Sequence, residues 1–205
     1  MKRFRFTLLA VCLLLLYLGW NDVSLFLRNP SPLPIEISEL ERSGAPREWL
    51  HVTRGIQNLE ESISTSGSVD IDALLVPLKS SPGDDNIRVL VETRNSRLLE
   101  HFRAYHLKQD SAFAKEKYLR EHAADFNAPR DVTGMVAGGL VASGNRDKLM
   151  QLAKDVGMDV AHDVIFISER KEPPRYRGFF YLAVGLLGLI KVLLTWKKPK
   201  AAAQG

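Results

Sequence analysis

The chain has 205 residues, of which 45% are hydrophobic and 25% are charged, an ordinary globular composition with room for about one domain. Its net charge of +4 is unevenly placed, because residues 29–176 carry 19 basic against 23 acidic side chains, a net charge of −4. An acidic middle region lacks the basic surface that binding to a nucleic-acid backbone requires. The composition therefore argues against nucleic acid as a partner.

Two apolar segments lie near the ends of the chain, at residues 6–27 and 178–196. The first would form a helix about 33 Å long, enough to cross a hydrocarbon core of about 30 Å. Tyr17 and Trp20 lie towards the end of the first segment, and aromatic residues lie at both ends of the second, as is typical of membrane interfaces. The sequence predicts two transmembrane helices that flank a domain at residues 28–177.

Basic residues beside the two spans predict their orientation, since cytoplasmic flanks carry an excess of Lys and Arg. Three basic residues precede the first span, against Arg28 after it, and the second span has basic residues on both sides. The topology determinants are Lys2, Arg3, Arg5, Lys197, Lys198 and Lys200. We expect a hairpin in a bacterial inner membrane, with the tails 1–5 and 197–205 cytoplasmic and the middle domain periplasmic.

The first segment also has the basic start and apolar stretch of a signal peptide, but no small residues at cleavage-site spacing follow it. We therefore expect an uncleaved anchor. Cys12 is the one cysteine of the sequence and lies in the middle of this segment. The middle domain then has no disulfide and no thiolate metal site, and its own core must hold it together.

The middle region predicts an α+β fold with a mixed β-sheet. Candidate strands lie at residues 49–56, 70–78, 87–93, 132–142 and 163–168, with a weaker one at 57–65. Candidate helices lie at residues 39–43, 96–108, 112–125 and 146–156. Ser38 and Glu41 form a capping box, and Asn95 and Ser111 are candidate N-caps. The order of the early strands also fits a small OB-like barrel.

Carboxylates and histidines offer two candidate sites, and each has a simpler explanation. His122 and Asp125 have the i, i+3 spacing of metal ligands on a helix, yet the segment contains no H-E-x-x-H motif, so solvated helix faces are expected. Asp70 and Asp72 alternate along a candidate strand, a spacing that some acid-base pairs use. The alternating apolar residues Val69, Ile71, Ala73 and Leu75 would form the buried face, so we expect both aspartates to face solvent.

Serines and glycines do not form a catalytic or nucleotide-binding motif. Ser62, Ser64, Ser66 and Ser68 crowd one stretch, but none lies in G-x-S-x-G. Gly134, Gly138 and Gly139 do not form a dinucleotide fingerprint or a P-loop, and close packing at a bent strand explains them better. We therefore expect no catalytic residue, no cofactor and no metal.

Four basic residues just before the second span form a candidate contact site for lipid or for an acidic partner: Arg170, Lys171, Arg175 and Arg177. Anchoring at the edge of the bilayer explains them equally well. Gly185 and Gly188 make the second span narrow enough to admit a neighbouring helix, which we expect to be the first span.

The layout of span, β-rich domain and span resembles that of the Surfeit-type cytochrome oxidase assembly proteins and of the mitochondrial membrane-anchored ubiquitin ligases. The resemblance is one of architecture and assigns no functional residue here. The residues after Trp196 contain no Cys or His, so we expect no zinc-binding ligase domain there. We expect a non-catalytic module that binds another membrane or envelope protein or assists in assembling a membrane complex. The alternatives are a membrane-tethered hydrolase and a binder of lipid or a small ligand.

The predicted topology can be tested with alkaline phosphatase, which needs the disulfides that form outside the cytoplasm. We expect a fusion at Asp125 to be active in a bacterial host and a fusion after Gly205 to be inactive. Enzyme activity normalised to fusion protein measures both. The reverse pattern of activities would overturn the orientation.

Overall fold

The structure is a computed structural model that describes residues 2–65, 71–84, 86–137, 150–151, 154 and 160–196. The chain divides into two compact units. One comprises Met1–Pro30 and Pro173–Gly205, and the other comprises Ser31–Glu172. The second unit combines strands and helices, so the α+β fold predicted from the sequence is confirmed.

Two apolar helices form the first unit, α1 at Lys2–Arg28 and a final helix, α6, at Arg177–Trp196. Both are long and apolar enough to cross a membrane. They pack through glycines, because a Cβ at Gly19 would lie 2.8 Å from the carbonyl oxygen of Gly178. A Cβ at Gly185 would likewise meet Leu16. Helix α1 is therefore the neighbour of α6, as the glycines predicted.

An ion pair links the same two helices. Arg177 Nε donates to Asp22 Oδ2 at 2.7 Å, and Arg177 Nη2 donates to Asp22 Oδ1 at 3.1 Å. The side chain of Asp22 is buried by this contact. A bidentate pair fixes the register of two helices more firmly than a single hydrogen bond. It also explains why an apolar segment tolerates an aspartate.

The described part of the second unit contains seven strands and four helices. The strands are β1 Leu33–Glu36, β2 Trp49–Gln57, β3 Ile63–Ser64, β4 Leu74–Lys79, β5 Ile87–Thr93, β6 Pro129–Val136 and β7 Val160–Glu169. The helices are α2 Ile37–Ser43, α3 Ser96–Leu107, α4 Ala112–Glu121 and α5 Ala123–Phe126.

Five of these strands close into a barrel in the order β2, β4, β5, β7, β6 and back to β2. Strands β5 and β7 are parallel, and the other barrel pairs are antiparallel. Strand β1 adds to β2 in parallel, and β3 adds to β4. The closed barrel removes most free strand edges from the sheet.

The bend that closes the barrel lies in β2. Its pairing with β6 shifts register between Val52 and Gly55, and Arg54 has a φ of +59°. A Cβ at Gly55 would lie 2.6 Å from the side chain of Leu78, so only glycine lets β4 approach here. After this bulge, β2 pairs with β4 at Ile56 and Gln57.

Apolar side chains fill the barrel and cover it at one end. The interior contains Leu50, Val52, Leu78, Val89, Val91, Val132 and Ile167. Helix α3 packs its predicted apolar stripe, Leu98, Leu99, Phe102 and Tyr105, into a cluster with Leu74 and Val76. On the opposite face of β4 and β5, Leu75 and Leu90 are fully buried in a third cluster. Burial on both faces explains the unbroken apolar run of β4.

Several predicted boundaries differ from the observed ones. The strand predicted at 70–78 begins at Leu74, and the weak candidate at 57–65 is reduced to β3. The helix predicted at 112–125 breaks at His122. Ser38 does not cap α2, which begins one residue earlier, at Ile37. Residues 138–142 of a candidate strand and most of the helix predicted at 146–156 lie outside the described residues.

An engineered disulfide tests the helix pairing. A Cβ at residue 188 would lie 3.9 Å from the Cβ of Cys12, within the range of about 3.5–4.5 Å found in disulfides. We expect Gly188→Cys, in an otherwise single-cysteine chain, to form an intramolecular disulfide on oxidation with copper phenanthroline. Maleimide labelling would then detect free thiols only after reduction. Leu187→Cys, on the exposed face of α6, is the control and should keep both thiols free. Equal oxidation of both variants would contradict the pairing.

Candidate functional site

A cavity of about 420 Å³ opens at the carboxyl ends of β5 and β7. Because these strands are parallel neighbours, their last residues meet at one edge of the barrel. The cavity, which we call the polar cleft, is lined by Glu92, Arg94 and Asn95 on one side and by residues 168–171 on the other. Helix α3 begins directly after Asn95, whose side chain accepts a hydrogen bond from the Arg97 amide.

Both carboxylates of the polar cleft are engaged by neighbouring side chains. Glu92 Oε2 accepts a hydrogen bond from Ser168 Oγ at 2.9 Å, and its Oε1 lies 3.6 Å from Arg94 Nη2. Glu169 accepts hydrogen bonds from the Thr93 hydroxyl and from Arg130. The serine and threonine hydroxyl protons are thereby used to hold carboxylates in place.

Arg130 lies behind the polar cleft and forms the centre of a buried polar network. Its Nη2 lies 2.6 Å from Glu169 Oε1, and the two side chains are only 14% and 13% exposed. Its Nη1 donates to Gln57 Oε1 at 3.1 Å, and Gln57 in turn donates to the carbonyl of Asp125. The network therefore joins β2, β5, β6 and β7 at the end of the barrel.

Arg170 and Lys171, two of the predicted contact residues, line the polar cleft with exposed side chains. Within the part of the chain that the structure describes, neither side chain has an ion pair or a hydrogen bond. Arg170 has a φ of +59°, and its amide donates to the carbonyl of Thr133 at 2.9 Å. A non-glycine residue seldom adopts this left-handed conformation, and the hydrogen bond to Thr133 fixes the backbone from which the Arg170 side chain extends.

The other two predicted contact residues belong to the unit that α1 and α6 form. Arg177 pairs with Asp22 in the helical unit, and Arg175 makes an interaction of its own. Asp72 is exposed, as predicted, whereas Asp70 and the pair Gly138 and Gly139 lie outside the described residues. Of the topology determinants, Lys197, Lys198 and Lys200 also lie outside them.

A second polar cluster joins α3 to α4 and α5. Asp125 Oδ2 lies 3.4 Å from His101 Nε2, and His101 Nδ1 lies 3.0 Å from the Tyr118 hydroxyl. Arg97 Nη2 lies 2.6 Å from Asp125 Oδ1, and the Tyr118 ring stacks on His122. The spacing in the sequence predicts a pair of His122 with Asp125. It does not predict the contact of His101 with Asp125, because that contact depends on how α3 packs against the later helices.

This cluster has the chemistry of a structural contact. Burial, and then the charge of Asp125, raise the pKa of Tyr118, so its phenol stays protonated and is a poor nucleophile. Both nitrogens of His101 already have neighbours within the cluster. The described residues contain no group of three side chains able to hold a metal ion.

His106 is a core histidine. Its ring packs between Phe102 and Tyr105, with centroids 4.3 and 4.8 Å away, and its Nε2 is buried without a hydrogen-bond partner in the described chain. Burial, and to a lesser degree Lys115, lower the pKa of His106, which favours the neutral ring.

Comparison with protein-family models, with curated proteins and with solved structures finds no match for this chain. Its function is therefore argued from the polar cleft and from the helical unit. The polar cleft combines fixed carboxylates with unpaired cations, which suits the binding of an anionic group.

The buried ion pair predicts an asymmetric response to mutation. Arg130→Met should destabilise the barrel by about 3–5 kcal/mol, because it leaves the Glu169 carboxylate buried without a cation. Arg130→Met combined with Glu169→Leu should recover most of that loss. Urea denaturation of the full-length protein in maltoside micelles measures the free energy of unfolding.

Arg97→Met is the matched control, because the Arg97 side chain is 70% exposed in its pair with Asp125. It should cost less than about 1 kcal/mol. A double variant as unstable as Arg130→Met alone would show that the loss of stability does not come from an unpaired charge.

Proposed function

We propose that this chain is a bacterial inner-membrane protein with two spans and cytoplasmic termini, whose periplasmic barrel binds a partner and catalyses no reaction. The barrel is proposed to be of the OB type, since its strands follow one another in the circular order first, second, third, fifth, fourth. A helical segment between the third and fourth strands supports the same assignment.

The membrane part of the proposal is supported by the surface of the helical unit. Its outward side chains are large and apolar, and include Leu13, Leu14, Leu187 and Leu194. The charged side chains of Asp22 and Arg177 are instead paired with each other between the helices. Apolar residues outside and a paired charge inside are what a helix pair in lipid requires.

The binding role is supported by the contacts that the charged and hydroxyl side chains of the polar cleft make. A serine hydrolase holds its hydroxyl against a general base, most often a histidine, which a third side chain orients. In the polar cleft Ser168 donates instead to Glu92, Glu169 is paired with Arg130, and the described lining contains no histidine. The side chains of Arg170 and Lys171 are exposed and able to recognise an anion, so the site favours binding over catalysis.

The barrel also offers an apolar corner for a protein partner. Phe113, at the start of α4, is 75% exposed, and Leu107, at the end of α3, is 54% exposed. Helix α4 buries none of its residues. A contiguous exposed apolar patch marks a protein contact surface, and Leu107 and Phe113 are proposed to belong to one. We propose that another membrane or envelope protein covers this corner.

Site-specific photocrosslinking tests the partner. The full-length protein would carry p-benzoylphenylalanine in place of Phe113, a change that keeps an aromatic ring at an exposed position. We expect irradiation in cells to yield one stoichiometric adduct with a membrane or envelope protein, identified by mass spectrometry.

The control carries the same crosslinker in place of Arg42, an exposed residue near the end of α2. It should not form that adduct. Recovery of the protein alone from the Phe113 variant, or the same set of adducts from both positions, would contradict the assembly role.

A further inference from the structure

We propose that the polar cleft binds a phosphate group, either free in solution or in the headgroup of an anionic phospholipid. This inference rests on the proposed function, because it names the ligand of a barrel that binds without catalysis. It concerns Arg170, Lys171 and Asn95, which line one cavity and have polar atoms free to donate.

The charges of the polar cleft leave two cations uncompensated. Glu92 is balanced by Arg94, at 3.6 Å, and Glu169 by Arg130, at 2.6 Å. Arg170 and Lys171 have no such partner among the described residues. A phosphate monoester carries nearly two negative charges at neutral pH and a phosphodiester carries one, so either would meet a matching charge here.

The donors also suit a phosphate better than a carboxylate. The guanidinium of Arg170 presents a planar fork of N–H groups, and the ammonium of Lys171 adds three more donors. The Asn95 carbonyl oxygen accepts from the Arg97 amide, which leaves its NH₂ group to donate into the polar cleft. Three side chains with donors to spare can surround the several oxygens of a phosphate, whereas a carboxylate has only two oxygens.

The backbone at Arg170 supports a binding role for this side chain. A φ of +59° is strained for an arginine, whereas glycine would adopt it without strain. The turn instead presents a long cationic side chain, fixed by the hydrogen bond from its amide to the carbonyl of Thr133.

The chain position of these cations indicates a lipid headgroup as the first source to test. Arg170 and Lys171 precede Arg177, where the second apolar helix begins, by only seven and six residues. Basic residues close to a span are attracted to anionic headgroups. Soluble phosphate has the same chemistry, so the experiment needs separate arms for the two sources.

The strained conformation supplies a variant that separates binding from folding. Arg170→Gly removes the cation and relieves the backbone, so stability should be kept or raised. It is combined with Lys171→Gln. The matched control is Arg54→Gly with Lys108→Gln, because Arg54 also has a φ of +59° and both control residues are exposed. The ion pair of Arg54 with Glu36 is exposed, so its loss should cost little.

The first arm titrates inorganic phosphate into the full-length protein in maltoside micelles, which contain no phosphate. The rise in Tm with phosphate gives the Kd. We expect Arg170→Gly/Lys171→Gln to weaken binding roughly tenfold or more for each cation removed, with an unchanged or higher Tm in the absence of phosphate. The control variant should bind as the wild type does.

The second arm uses nanodiscs of equal parts phosphatidylglycerol and phosphatidylcholine and counts retained lipids by native mass spectrometry. Selective retention of phosphatidylglycerol by the wild type and the control, but not by the cleft variant, identifies the headgroup as the source. Phosphate binding in the first arm without this retention identifies soluble phosphate.

The proposal is overturned if the cleft variant binds phosphate and phosphatidylglycerol as the wild type does. It is also overturned if that variant loses only the protein adduct formed at Phe113, which would make the polar cleft a protein-binding site. The proposed assembly role fails separately, when no adduct forms at Phe113, whatever the phosphate result.

Discussion

The bend in β2 at Arg54 and Gly55 is the constraint on which the barrel depends. One edge of β2 pairs with β6. The other edge pairs with β1 up to Thr53 and with β4 from Ile56 onward. A straight strand would carry β2 past β4 and leave the sheet open, with two edges free to pair with other chains. The missing side chain of Gly55 gives Leu78 the space to approach, so the closed barrel follows from one glycine and one bulge.

The same bend places the buried charges. Gly55 is the register partner of Arg130 on β6, so the bulge and the arginine lie side by side. From there the guanidinium reaches Gln57, Thr93 and Glu169. Because the Arg130–Glu169 ion pair is buried, it fixes the relative positions of β6 and β7 as well as affecting stability. Arg130 neutralises Glu169, and the polar cleft in front of it is left with a net positive charge.

The sequence predicted the elements whose signals are local and missed the contacts that depend on tertiary packing. Strand β5 and the capped start of α3 follow from periodicity and from Asn95, and the paired spans follow from Gly185 and Gly188. Two of the seven residues that line the polar cleft, Arg170 and Lys171, are predicted from their charge, whereas the other five, among them Glu92, Arg94 and Asn95, are not. Those three residues reach the cleft only because β5 and β7 are parallel neighbours, and pairing between strands so distant in the chain has no signal in a single sequence.

The middle domain is acidic overall, yet we propose that it binds an anion. These two conclusions are compatible because the polar cleft has a positive local charge. Residues 29–176 carry a net charge of −4, which disfavours a polyanion that must lie along a broad surface. In the proposed OB-type barrel, the face that would bind oligonucleotides is the outer face of β4 and β5, and Leu75 and Leu90 are buried on that face. A single phosphate meets mainly the charges within about one Debye length, about 8 Å at physiological ionic strength, and the charged side chains that line the polar cleft sum to a positive charge. A longer polyanion must also contact surface beyond the polar cleft, where the net negative charge of residues 29–176 disfavours it.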